Sequence, residues 1–199
     1  MKTKIIVFSL WLTLLTAKSQ GVMVVDRQST NLIEGGTGLF YFYQPLGESF
    51  SPTYSAINFV NLNLYDGDPL NVSNAFVVVN LRSNSVTGSI LSSTMPVLIP
   101  DEFFGAATFF FSNTVPLLPG TTYFLQPEIQ SGSLGVGSYV TDTSYIGGVY
   151  YQSGNVLTDR NLWFQEGIIL VPEPTAISLL SLSGAFFLLR HRFNIQFRP

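Results

Sequence analysis

Residues 57–65 read INFVNLNLY, and this stretch decides how the chain folds. Val60, Leu62 and Leu64 alternate with Phe59, Asn61 and Asn63. A period of two sends successive side chains to opposite faces, which is the signature of a strand and not of a helix. The runs AFVVVNLR (75–82), AATFFFS (106–112), TTYFLQPEI (121–129) and LWFQEGIILV (162–171) are likewise β-branched or aromatic. Shorter runs near Leu39–Tyr43, Ser89–Leu91 and Tyr145–Tyr151 complete the set. Turn residues separate them at Asp66-Gly67-Asp68-Pro69, Ser83-Asn84-Ser85, Leu118-Pro119-Gly120 and Gly147-Gly148. Nothing between Val22 and Val171 has a helical period. The sequence therefore predicts an all-β body, a single antiparallel β-sandwich over residues 20–170.

Composition narrows the chemistry. The chain has 199 residues, of which 46% are hydrophobic and 11% charged, so it has the apolar content to fold. It has no cysteine, which excludes disulfides, thiolate metal sites and a cysteine nucleophile. All three lysines, Lys2, Lys4 and Lys18, lie before the body. Between Gln20 and Val171 three arginines (Arg27, Arg82, Arg160) face eleven acidic residues, a net charge of −8. Such a surface repels a phosphate backbone, so nucleic acid is not an expected partner.

The two ends are different in kind. MKTK, the apolar run IIVFSLWLTLLTA and KSQG form a basic start, a hydrophobic core and a small-residue cleavage site. This predicts a signal-peptide helix over residues 1–19, with Ala17 and Ser19 marking cleavage after Ser19. At the other end, VPEP (171–174) is followed by an uncharged stretch from Ala176 to Leu189 and then by Arg190, His191 and Arg192. Pro172 and Pro174 keep the tether extended and exposed, because each lacks an N–H and restricts the residue before it. A helix over 176–189 would be about 21 Å long, shorter than a bilayer core of about 30 Å. Snorkelling by Arg190 and Arg192 would make up part of the difference. The positive-inside rule keeps this basic end, and Lys2 and Lys4, in the cytoplasm while the body is moved out.

In this order, tripeptide, short apolar helix and basic end, residues 171–199 resemble the PEP-CTERM sorting signal of exported bacterial proteins. Pro172, Glu173 and Pro174 match the tripeptide, and Arg190 and Arg192 the basic end. The chain departs from that pattern in the extension FNIQFRP after the cluster. The resemblance implies a membrane-tethered precursor, recognition by a membrane-embedded exosortase, removal of the tail near the tripeptide, and a mature protein at the cell surface or outside the cell. The alternative is a plain C-terminal anchor, which would tolerate Glu173→Ala. The body carries a looser resemblance in ESFSPT (48–53), FVNLNLYD (59–66), VPLLPGTTYFL (115–125), YIGGVYYQSG (145–154) and DRNLWFQEG (159–167). These are similar to exported sandwich domains of galactose-binding or jelly-roll type, which implies a jelly-roll-like topology.

Candidate sites follow from what the body contains. Its lack of His, Lys and Cys excludes a Ser-His-Asp arrangement and a histidine-ligated zinc. Asp101-Glu102, Glu128 and Glu166 are the carboxylates from which a glycosidase pair would be drawn. However, Asp101-Glu102 reads as a loop after Pro100, and Glu166 as a solvent-facing residue near a strand end. Asp66 and Asp68 are a candidate structural Ca²⁺ site or a plain turn, and no other cofactor or metal is expected. Asn71-Val72-Ser73 matches a glycan acceptor and reads as a turn. Tyr139, Tyr145, Tyr150, Tyr151 and Trp163 are candidate stacking surfaces for a sugar ring, or else ordinary sandwich packing. The expected role is a non-catalytic structural or adhesive surface protein that contacts extracellular polysaccharide. A carbohydrate-binding module with a defined sugar site is the alternative.

Overall fold

In the computed structural model, residues 21–68, 70 and 72–171 are described, with the backbone alone given for 33–37. The expected signal helix, cleavage residues Ala17 and Ser19, tripeptide Pro172-Glu173-Pro174, membrane helix 176–189 and basic Arg190 and Arg192 lie outside them, as do Pro69 and Asn71. Among the described residues, no helix is long and apolar enough to cross a membrane.

The compact unit Met23–Ile169 is all-β and contains two seven-stranded antiparallel sheets. One sheet, the A sheet, is built from β1 (Val22–Ser29), β2 (Leu32–Leu39), β4 (Ala56–Asp66), β8 (Phe104–Pro116), β10 (Val136–Thr141), β13 (Asn161–Leu162) and β14 (Phe164–Leu170). The B sheet holds β3 (Gly47–Phe50), β5 (Ala75–Ser83), β6 (Ile90–Ser93), β7 (Val97–Ile99), β9 (Tyr123–Gly132), β11 (Tyr150–Gln152) and β12 (Asn155–Leu157). The INFVNLNLY stretch is the spine of the A sheet. Along one edge β4 pairs with β8 from Ala56↔Pro116 to Tyr65↔Phe104. Its other edge is shared end to end: β14 pairs at Phe164↔Leu62 through Gly167↔Phe59, and β10 at Val136↔Asp66 through Ser138↔Leu64. The two sheets meet at one side, where Thr94, between β6 and β7, bridges to Phe111 of β8.

The alternation read from the sequence becomes the core. Val60, Leu62 and Leu64 of β4, Phe109 and Phe111 of β8 and Phe164 of β14 pack against Val77, Val79 and Leu81 of β5 and Leu125 of β9. A fully buried Leu or Phe side chain contributes about 1.5–3 kcal/mol, so this face drives folding. All members of the core cluster lie between Phe40 and Phe164, so the unit carries its own core.

Three readings need correction. Leu39–Tyr43 is not a strand: β2 stops at Leu39, and Phe40–Tyr43 form a single helical turn, α1. Phe40 is buried there, while Gln44 just beyond donates to Pro127 O at 2.7 Å and accepts from Leu46 N at 3.1 Å and Gln126 Nε2 at 2.9 Å. These local bonds outweigh the β propensity of an FYFY run. Of Tyr145–Tyr151 only Tyr150 and Tyr151 are in a strand, because Gly147-Gly148 turns the chain where Gly148 lies against Ser49. The final run is broken at Trp163: β13 pairs with β10 and β14 pairs with β4.

Candidate functional site

Two polar features stand out, one between the sheets and one on the outer face of the A sheet. The inner one is a row of oxygens in an apolar setting. On β14, Phe164 and Glu166 both point inward, so the structure overturns the reading of Glu166 as solvent-facing: it is 0% exposed. Neither carboxyl oxygen has a well-formed hydrogen bond, the backbone N–H of Arg27 being its one weak donor. Burial, aided by the charge of Asp26 and opposed by Arg27, raises its pKa to about 8, so the group is mostly protonated at neutral pH. Glu48 of β3 reaches across from the other sheet, and its Oε2 accepts from Leu162 N at 2.8 Å. Its Oε1 is unpartnered, and burial pushes its pKa well above the carboxylate range against the effect of that backbone bond. Tyr145 stands edge-on to Phe164, ring centroids 5.2 Å apart, and burial raises its pKa, with Glu48 and then Glu166 adding to the shift.

At the surface above this row lies a cleft of about 560 Å³. It is lined by β1 and the turn after it (Arg27 to Asn31) and by the loop Ser144–Gly147. Arg27 is held by a 2.7 Å bond from Nε to Ser51 O. Asn31 Nδ2 donates to Ser144 Oγ at 3.2 Å, which ties the two walls together.

The outer feature comes from the other half of the alternation. Because Val60, Leu62 and Leu64 point inward, Asn61, Asn63 and Tyr65 lie on the outer face, where Phe59 and Asn63 are buried and Asn61 and Tyr65 are half-buried. Gln165 and Trp163 flank inward Phe164 and also point outward. Asn61 Nδ2 donates to Gln165 Oε1 at 3.1 Å, and Gln165 Nε2 donates to Gln28 Oε1 at 2.9 Å. Three amides on three adjacent strands, β4, β14 and β1, thus form one directed ladder. Beside it is an aromatic group: Tyr65 and Tyr139 have ring centroids 5.1 Å apart, and Phe104 meets Tyr139 edge-on at 5.4 Å. Phe104 is 71% exposed. Gly137 makes room for this group, since a Cβ there would lie 2.7 Å from the Tyr65 ring.

The five aromatic candidates do not form one platform. Tyr145 lines the cleft. Tyr150 is 1% exposed and belongs to the core, and Tyr151 packs edge-on against Phe124 of β9. Trp163 is half-buried and donates its indole N–H to Thr30 O at 3.1 Å. Tyr139 does join a surface group, with Tyr65 and Phe104, which the sequence reading passed over. The signal for them was there: a Tyr ending the INFVNLNLY alternation on its amide face. Asp66 and Asp68 act as turn acceptors, for Asp68 N at 3.1 Å and Leu70 N at 3.2 Å. Among the described residues, no three acidic or histidine side chains are grouped to hold a metal ion. Of the carboxylates considered for catalysis, Glu128 lies on the outer face of the B sheet and accepts from Asn80 Nδ2 at 2.9 Å, whereas Glu166 faces inward from the A sheet. Asp101 and Glu102 occupy the turn before β8, as read. Comparison with protein-family models and with curated proteins finds no match to this chain.

Proposed function

We propose that this chain is the precursor of an exported bacterial surface or extracellular-matrix protein whose β-sandwich is a structural and adhesive module, not a catalyst. Residues 1–19 direct export, residues 20–170 form the mature body, and residues 171–199 form a PEP-CTERM-type signal. The precursor is tethered in the inner membrane until an exosortase acts near Pro172-Glu173-Pro174. The sandwich is of jelly-roll-like type.

The observation that best supports this is where the ends of the body leave it. Gln165 bonds to Gln28, and Gly167 lies against Val24, so β1 and β14 run side by side in opposite directions. Met23 and Ile169 therefore leave from one pole of the unit. That suits a body whose flanking segments are both held on one side of a membrane. A second reading, a carbohydrate-binding module, is favoured by the aromatic group beside the amide ladder.

The test is the mass of the C-terminus in cells with and without an exosortase. Loss of residues beyond Pro174 only when the protease is present, and retention of the tail in Glu173→Ala, is the expected result. An intact tail in both strains leaves a simple anchor and refutes the sorting role.

A further inference from the structure

We infer that the outer face of the A sheet is a binding site for a neutral polysaccharide chain lying across the strands. This rests on the adhesive reading of the body, and it is independent of how the tail is processed. Three features of the face specify the ligand.

The first is spacing. Gln28, Gln165 and Asn61 sit on consecutive strands, which are about 4.8 Å apart. That repeat is comparable with the length of one pyranose unit, so an extended glycan crossing the strands meets one amide per sugar.

The second is unused bonding capacity. Each side-chain amide has two N–H donors and an oxygen with two lone pairs. The ladder uses one donor of Asn61 and one of Gln165. The other donors stay free to bond hydroxyl oxygens, and Gln28 ends the ladder at an exposed edge position. The oxygens of Asn61 and Asn63 are buried without a partner, so contacts to a ligand at the surface come from the N–H donors of the ladder and from Gln28 and Gln165. The bonds within the ladder point one way and fix the amides before a ligand arrives, which lowers the entropy lost on binding.

The third is the mix of side chains. Tyr65 follows Asn61 and Asn63 on the same face of β4, about 13 Å along the strand from Asn61, and with Tyr139 and Phe104 it offers ring surface of the kind that covers the C–H face of a sugar, so a chain touching both features crosses the strands obliquely. Phe104 is 71% exposed, so its ring is not spent on the core. None of these residues is charged, and the body as a whole carries −8. An anionic polymer would be repelled, and Asp26, the carboxylate two residues before Gln28 on β1, is already bonded to Thr53 and Tyr54. A neutral chain fits both facts.

The experiment is co-sedimentation of the full-length chain, in mild detergent, with insoluble cellulose, insoluble β-1,3-glucan and insoluble mannan, and with calcium alginate beads as the anionic comparison. Binding to at least one neutral polymer, with little on alginate, is expected. Phe104→Ala and Gln165→Ala should each weaken that binding at least fivefold while leaving the thermal transition within a few degrees. Phe42→Ala, at an equally exposed aromatic on α1, should leave binding unchanged. Binding that survives both face substitutions but is lost with Ile146→Asp in the cleft would overturn the site and leave the adhesive reading intact. A preference for alginate would overturn the neutral ligand. No binding to any of the four would overturn this inference together with the adhesive reading.

Discussion

Replacing Glu166 by Gln should stabilise the body, and by more as the pH rises. The carboxyl is fully buried without a well-formed hydrogen bond, and its pKa is raised from 4.5 to about 8. A raised folded-state value means that the folded chain holds the proton more tightly than the unfolded chain does. The associated stability is complete below the unfolded value near pH 4.5 and is lost as pH climbs to about 8. At about 1.4 kcal/mol per pH unit, the loss is about 3 kcal/mol at pH 7 and about 5 kcal/mol above pH 8. Gln has nearly the same shape and cannot ionise. The wild-type and Glu166→Gln bodies, residues 20–171, should therefore have similar stability at pH 4.5 and diverge above it. The assay is urea unfolding followed by Trp163 fluorescence at pH 4.5, 6, 7 and 8.5. Parallel pH profiles, or a variant less stable than wild type at pH 8.5, would show that Glu166 is solvated or paired, and the reasoning would fail.

Phe109→Ala removes a fully buried ring between the sheets and should cost about 3–5 kcal/mol, seen as a lower urea midpoint with an unchanged slope. Gly148→Ala places a Cβ 1.6 Å from Ser49 O; backbone must move, so the bond from Ser49 N to Val149 O at 2.9 Å should lose its protection from hydrogen exchange. Trp163→Phe keeps an aromatic side chain and deletes the indole donor to Thr30 O; a loss of about 1 kcal/mol is expected when urea unfolding is followed by far-ultraviolet circular dichroism, since the variant body has no tryptophan.

The sheet was readable because its core depends on period-two alternation. In β4 the inward residues Val60, Leu62 and Leu64 and the outward Asn61 and Asn63 are all assigned by parity once the strand is recognised. The same parity, carried one residue further, puts Tyr65 on the amide face. What parity cannot give is which strand lies next to which. Asn61, Gln165 and Gln28 are up to 137 residues apart in sequence, and only the order β4-β14-β1 brings them into one row. Glu166 failed for another reason. The rule that carboxylates near strand ends face water describes average solvation, whereas β14 has Phe164 and Glu166 on one face, and the sheet buries both. At Phe40–Tyr43 a local propensity was overruled by the tertiary bonds of Gln44.

β14 also shows why the A sheet is the one to carry a site. A strand buried on one face needs apolar residues only at every second position, and the intervening positions are free to vary. In β14 the free positions hold Gln165 and, just ahead of the strand, Trp163. The inward position next to Phe164 holds a carboxyl without a well-formed hydrogen bond, which costs stability at neutral pH. A polar row that lowers stability and an outward amide with bonding capacity to spare are both departures from what a purely structural strand would select. They occur on the strand that borders the cleft-lining β1, and Glu166 senses Arg27 while Gln165 bonds Gln28. The stability that Glu166→Gln would add is thus a measure of what the body gives up on the strand that supports its outer face.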